Sequence, residues 1–136
     1  MKRLIKLIVF VLVFVSLSWA VEEQFPEGGI GFAGMLSGKI ISKGQDQIVI
    51  QVTKVEKVWK HNRAQNPSEI IGKQIILRIN PEIYKKKPSY LDKVRKFFSI
   101  LKIGDTESFD CKHTEGNVFT MLELTELQLK RIGEVQ

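Results

Sequence analysis

Two side chains of this sequence have the spacing of a possible nucleophilic pair. Cys111 and His113 lie two residues apart, so on a β-strand they would share one face. A thiolate beside an imidazole also needs an oxyanion hole and a group that orients the histidine, and no pattern here supplies either. The alternative is a strand cysteine facing the core beside a turn residue. We therefore predict no catalytic residue and no enzyme.

Cys111 is the only cysteine, so the chain cannot form an internal disulfide. It is either a buried, small apolar residue or a thiol available for an intermolecular bond. Free cysteine is among the residue types most often buried, which favours the first possibility.

Metal and cofactor sites also lack a sequence signal. The two histidines, His61 and His113, are far apart and neither is accompanied by a cluster of carboxylates. The glycines of residues 28–31 are not preceded by a strand, which a phosphate-binding loop requires. We predict no metal and no cofactor.

A strongly basic segment spans residues 84–102. Asp92 is its only acid, and the segment carries +6 of charge. Its cations are Lys85, Lys86, Lys87, Lys93, Arg95, Lys96 and Lys102. Such a patch suits nucleic acid, anionic lipid or an acidic protein. The alternative is an ordinary solvated helix face.

Residues 1–20 have the three parts of an export signal. Lys2, Arg3 and Lys6 precede an apolar stretch at 7–17, and Ser18-Trp19-Ala20 resembles a cleavage site. A membrane anchor is the alternative, but a spanning helix needs about 20 apolar residues. Cleavage would lower the net charge from +6 to +3 and leave no membrane span. We expect a periplasmic or extracellular protein with a flexible leader at 21–31.

Most of the remaining chain has the alternation of β-strands. Ile48, Ile50 and Val52 alternate with polar residues, and a shift of phase after Val52 predicts a bulge. A first strand precedes them, with a kink or close backbone approach at Gly38. A third strand is predicted over 73–80, and a hairpin around the turn at 114–117 supplies two more.

One segment has helical periodicity instead. Residues 89–103 carry a stripe of apolar side chains at three- and four-residue steps, formed by Leu91, Val94, Phe97, Phe98 and Leu101. Ser89 with Asp92 is a possible capping pair, and Gly104 is the predicted stop. A short helical turn is predicted at 125–132.

The order of three strands, a helix and two strands predicts a mainly β fold. It is typical of a five-stranded, OB-fold-like Greek-key barrel with one helix between strands 3 and 4. An unrelated meander or small sandwich is the alternative. We place this domain at residues 32–128, followed by a C-terminal tail at 129–136.

OB-folds bind oligonucleotides and oligosaccharides on the face of strands 2 and 3 and the adjoining loops. The candidates there are Lys57, Trp59, Lys60, Arg63, Lys73 and Arg78. The Trp59 ring could stack on a base or a sugar. The alternative is that Trp59 closes the barrel end as a core residue.

Several short motifs, taken in order, resemble a group of small exported bacterial OB-fold proteins of uncharacterised function. They are Gly38-Lys39, Val58-Trp59-Lys60, Asn66-Pro67 with Gly72-Lys73, the turn at 101–105 and the strand end at 122–125. The resemblance covers residues 31–128. It implies the fold and export, and it implies no chemistry.

These patterns together predict an exported, non-enzymatic OB-fold binding or interaction module. Its expected ligand is a protein or an envelope polymer. The alternative is a nucleic-acid or polyanion binder that uses residues 84–102. Export and the modest charge of +3 argue against that alternative, because backbone phosphates are bound mainly through positive charge.

Overall fold

A computed structural model describes residues 24–133 of the chain. The predicted export signal at 1–20, the start of the predicted leader and residues 134–136 lie outside the described residues. Within residues 24–133, no helix is both long enough and apolar enough to cross a membrane.

Five strands form a closed barrel in the order β1-β2-β3-β5-β4. The strands are β1 (Ala33–Gly44), β2 (Gln47–Val58), β3 (Gln74–Arg78), β4 (Thr106–Glu115) and β5 (Val118–Met121). β3 and β5 are parallel, and every other neighbouring pair is antiparallel. The prediction of a mainly β, five-stranded, OB-fold-like barrel is confirmed.

Two α-helices accompany the barrel: α1 (Pro88–Ile100) lies between β3 and β4 in the chain, and α2 (Glu126–Arg131) follows β5. Three short 3-10 helices lie at Glu27–Gly29, Pro67–Ile70 and Pro81–Tyr84. The short helical turn predicted near the C-terminus is therefore present as α2. It begins with a capping box between Thr125 and Gln128.

The alternation in β2 arises because one side of the strand lines the barrel. Ile48, Ile50 and Val52 are each at most 1% exposed. The register between β1 and β2 shifts just after Val52, where Ser37 pairs with Lys54, so the predicted bulge is present. Gly38 lies at that shift, and a Cβ there would be 2.9 Å from the Gln51 carbonyl oxygen. The predicted close backbone approach at this glycine is confirmed.

α1 packs its aromatic stripe against the barrel. Phe97 and Phe98 each make an edge-to-face contact with Phe109 of β4, with ring centroids 6.3 Å apart. The Lys43 ammonium donates to the carbonyl oxygens of Ser99 and Leu101, at 3.2 and 2.6 Å. These bonds satisfy carbonyls at the C-terminal end of the helix.

The bounds of α1 differ from the predicted 89–103. The helix begins at Pro88 with Lys87 as its N-cap, so Ser89 and Asp92 form no capping pair. It ends at Ile100 because the backbone then turns toward β1, where the Gly104 N–H donates to the Ile40 carbonyl at 2.8 Å. Gly104 has a φ of 95°, a conformation that glycine adopts without strain.

The leader predicted to be flexible and the predicted C-terminal tail both include residues that pack on the domain. Phe25 is only 8% exposed and stacks on His113 with centroids 4.8 Å apart, so residues 25–31 are packed on the barrel. Ile132 is 5% exposed and belongs to the core, so the domain continues past residue 128. Phe25 is the one core side chain of residues 25–31, and only Leu129 and Ile132 of residues 129–133 pack on the core, so neither segment has a periodicity that would reveal its burial.

Phe97→Ala should lower the free energy of unfolding by about 3–5 kcal/mol, because it leaves a cavity between α1 and β4. Ile100→Ala, on the same helix but 40% exposed in the native protein, is the matched control and should cost much less. Urea denaturation of both variants measures the difference. Equal losses would show that Phe97 is not a core residue.

Candidate functional site

Cys111 is buried in the barrel, and both ring nitrogens of His113 are hydrogen-bonded to the backbone. Cys111 is fully buried, and this burial raises the pKa of its thiol, which opposes thiolate formation. The Nδ1 atom of His113 accepts a hydrogen bond from the Gly31 N–H at 3.2 Å. Nε2 therefore carries the proton and donates to the Gly116 carbonyl at 2.7 Å. The predicted burial of Cys111 is confirmed.

Metal ligands do not gather in the part of the chain that the structure describes. Over residues 24–133, no three His, Cys, Asp or Glu side chains are placed to hold a metal ion. His61 is exposed on the loop after β2.

The six ligand-binding candidates do not lie together. Arg78 is at the end of β3, where it pairs with Gln47, and Lys73 lies just before the start of β3. Lys57 lies ten residues after Gln47 on β2, which corresponds to about 33 Å along the strand. Trp59, Lys60 and Arg63 follow Lys57 in the chain. The six candidates are therefore spread along β2 and its neighbours, with Lys73 opposite Val52 near the middle of the strand.

Trp59 lies on the outside of the barrel. Its indole Nε1 donates to Asp110 Oδ1 at 2.8 Å. β1 lies between β2 and β4 in the barrel, so this bond passes over the outer side of β1. Trp59 is half-buried and does not belong to the hydrophobic core, contrary to the alternative that it closes the barrel end.

The carboxylate that holds Trp59 is in an unusual environment. Burial is the main cause that raises the pKa of Asp110, and the neighbouring charge of Glu123 raises it further. The hydrogen bond from Trp59 acts in the opposite direction. Asp110 thus fixes the position of the Trp59 indole. When the Asp110 carboxylate is ionised, its partial burial costs hydration free energy.

A second surface is formed by the outer sides of β2, β3 and β5. Val49 pairs with Ile76, and Ile76 pairs with Val118, so three half-buried apolar side chains form one row across three strands. The pair Gln51 and Gln74 borders this row on one side. The pair Gln47 and Arg78 borders it on the other. We call these seven residues the β2–β3–β5 face.

The chemistry of this face suits contact rather than catalysis. Its centre is apolar, and its borders offer three amides that can both donate and accept hydrogen bonds. Arg78 supplies one positive charge and a planar group for an anionic or carbonyl partner. The face carries no acid, base or nucleophile within its seven residues.

Sequence reasoning found only Arg78 of this face, because it searched for cations and aromatic rings. A usable signal was present in the alternation itself. Val49 lies between the inward-facing Ile48 and Ile50, so it must point outward. Ile76 has the same relation to Ile75 and Leu77. Apolar residues in the outward phase of two paired strands indicate a partly covered or binding surface.

The basic segment is divided by the fold. Lys85, Lys86 and Lys87 are exposed before α1, and Lys102 lies beyond its far end, about 20 Å away along the helix. Arg95 makes a bidentate ion pair with Asp46, at 3.0 and 2.8 Å, which offsets its charge. Lys93 and Lys96 lie on α1 between these points.

Comparison with known proteins gives no family assignment. No protein family matches the chain, and no curated protein is similar to it in sequence. The resemblance to exported bacterial OB-fold proteins therefore stays a prediction.

Asp110→Asn should change how stability depends on pH. Because the native pKa of Asp110 is raised, the folded protein holds this proton more tightly than the unfolded chain does. The resulting stability is full below the unfolded pKa and is lost as pH rises through the native pKa. Relative to Asp110→Asn, the wild type should therefore lose stability as pH rises from about 4.

Urea denaturation at a series of pH values measures this difference. Glu115→Gln, which alters an exposed carboxylate on the same strand, is the matched control. A wild-type minus Asp110→Asn difference that stays constant with pH, or that grows as pH rises, would contradict the environment described for Asp110.

Proposed function

We propose that this chain is an exported, non-enzymatic binding module of the OB-fold type. Its ligand is a protein or an envelope polymer, and the β2–β3–β5 face is the surface that holds it. The observation that carries the proposal is the row of Val49, Ile76 and Val118 on the outside of a closed barrel. Burying apolar surface of this kind is the general driving force for association.

The borders of the row give the face its selectivity. Gln47, Gln51 and Gln74 can bond the amides of a polypeptide or the hydroxyls of a glycan in either direction. Arg78 favours a carboxylate or a carbonyl group at one end of the face. Such polar groups around an apolar centre are typical of surfaces that bind specifically.

The alternative is a nucleic-acid or polyanion binder that uses residues 84–102. Its support is the exposed run Lys85, Lys86 and Lys87. The pairing of Arg95 with Asp46 weakens it, because one of the seven cations is already neutralised. Strong retention of the chain from Val21 onward on a heparin column at moderate salt would favour the alternative.

Photo-cross-linking in cells tests the position of the ligand. A photoreactive amino acid is placed at Val49 or Ile76 on the face, at Lys60 on the loop after β2, or at Lys87 in the basic segment. We expect adducts from Val49 and Ile76, as a discrete band for a protein or a smear for a polymer. Adducts confined to Lys60 or Lys87, or absent from all four positions, would overturn the proposed face.

Export is tested separately by fractionation and mass spectrometry of the N-terminus. The basic cluster, apolar stretch and cleavage pattern of residues 1–20 support removal of the signal after Ala20. We expect the protein outside the cytoplasm, beginning at Val21. A cytoplasmic protein that begins at Met1 would contradict export and exclude an envelope polymer as the ligand, while the position of the binding face would still be decided by the cross-linking.

A further inference from the structure

A second surface of the molecule combines positive charge with exposed apolar side chains. Seven large hydrophobic residues among the described ones are substantially exposed, and three of them belong to α1, to the turn that follows it and to α2. These are Ile100, Ile103 and Leu127, which are 40%, 65% and 73% exposed. The barrel interior uses none of these three side chains.

Lysines share the same side of α1 with Ile100. Lys93, Lys96 and Ile100 follow one another at steps of three and four residues, so they form a stripe along one side of the helix. The stripe is separate from the buried positions Val94 and Phe97, which face the barrel. Two positive charges thus lie one and two helical turns from an exposed isoleucine.

α2 lies next to α1 and adds exposed side chains to the same region of the surface. The Leu124 N–H donates to the Tyr90 hydroxyl at 2.7 Å, and the Arg131 guanidinium lies 5.6 Å from the centre of the Phe97 ring. The first contact joins the residue two positions before α2 to the N-terminal turn of α1, and the second joins the last residue of α2 to a later turn of α1, so α2 lies beside α1. Leu127, on α2 between these two contacts, is 73% exposed.

We propose that this surface, the α1–α2 face, holds the domain at an anionic phospholipid membrane. It consists of Lys93, Lys96, Ile100, Ile103, Leu127 and Lys130. The apolar side chains insert at the boundary between headgroups and acyl chains, while the ammonium groups meet the lipid phosphates. The proposal concerns where the domain is held and does not depend on the ligand of the β2–β3–β5 face.

The charge of the region favours an anionic partner. In residues 84–105 and 126–131 the carboxylates are Asp92, Asp105 and Glu126, and Glu107 of β4 lies beside α2, where it accepts a hydrogen bond from Arg131. They are outnumbered by seven lysines, namely Lys85, Lys86, Lys87, Lys93, Lys96, Lys102 and Lys130. A membrane of neutral lipid would make only the apolar contacts with this face. The affinity should therefore depend on the content of anionic lipid.

The apolar side chains favour lipid over nucleic acid. A phosphate backbone offers nothing for Ile103 or Leu127 to bury, and single-stranded nucleic acids are held largely by stacking on aromatic rings. The six residues of the α1–α2 face include no aromatic ring. The nearest tyrosine, Tyr90, is half-buried and has its hydroxyl bonded to the Leu124 N–H.

Vesicle flotation with the chain from Val21 onward, which contains every described residue, tests the proposal. We expect binding to phosphatidylcholine vesicles with about one part in three phosphatidylglycerol, and none to phosphatidylcholine alone. Leu127→Ser with Ile103→Ser should weaken binding about tenfold, because both side chains are exposed and only the inserted apolar surface is lost.

Lys93→Glu should also weaken binding, whereas Lys112→Glu on β4 is the matched control and should not. Circular dichroism of each variant shows that the fold is retained. The proposal is overturned by failure to bind anionic vesicles. The proposal is also overturned if the Leu127→Ser, Ile103→Ser variant still binds anionic vesicles and an oligothymidylate displaces it. That result would show a general polyanion site. Neither result affects cross-linking at Val49 and Ile76.

Discussion

The pairing of β1 with both β2 and β4 is the constraint on which the rest of the structure depends. β1 is bonded along most of its length to β2, and its residues 33–39 also pair with β4, so this strand closes the sheet into a barrel. Closure requires β1 to bend while the partner backbones come very near. A Cβ on Gly34 would lie 2.1 Å from the Lys57 carbonyl oxygen, so a glycine is needed there.

Closure also decides which outer surfaces are free. The outer side of β1 and β4 is partly covered, because Trp59 crosses β1 to reach Asp110 and the Gln128 side chain donates to the Ser108 carbonyl at 2.6 Å. No comparable hydrogen bond from another element crosses the described outer sides of β2 and β3 at Val49 and Ile76. The apolar row of the β2–β3–β5 face is half-buried and, among the described residues, is not crossed by such a bond, whereas α1 and α2 present a separate face of different chemistry.

Buried polar groups keep this arrangement rigid. Among the described residues, no buried side-chain nitrogen or oxygen lacks a hydrogen-bond partner. The Tyr84 hydroxyl lies 2.9 Å from the Met121 carbonyl oxygen and 2.5 Å from that of Leu122, where it fixes the chain that leaves β5. Burial raises the pKa of Tyr84, so the hydroxyl keeps its proton. A rigid barrel presents its outer faces with little entropy to lose on binding.

The sequence predicted those parts of the fold that depend on local periodicity. The alternation through Ile48, Ile50 and Val52 and the stripe around Phe97 each identify an element from its own residues. Phe25 could not be placed in this way, because its burial depends on His113, far along the chain. The end of α1 likewise depends on Lys43 and Ile40, which belong to a different strand.

The candidate site was harder to predict than the fold, because a surface is defined by register between strands. Arg78 and Lys57 are both cations on predicted strands, so nothing in the sequence separated them. In the structure Arg78 lies opposite Gln47 at the start of β2, whereas Lys57 lies at the other end of that strand. Val49 and Ile76 looked like ordinary strand residues until their pairing placed them side by side on the outside. Charge and aromatic content alone could not reveal that row.

Methyl NMR of isoleucine- and valine-labelled protein, recorded with and without a solubilised envelope fraction, tests the central claim most directly. The account predicts that the methyl signals of Val49, Ile76 and Val118 shift or broaden, while those of the interior residues Ile50 and Ile75 change little. Shifts confined to Ile100 and Ile103, or none at the β2–β3–β5 face, would contradict it.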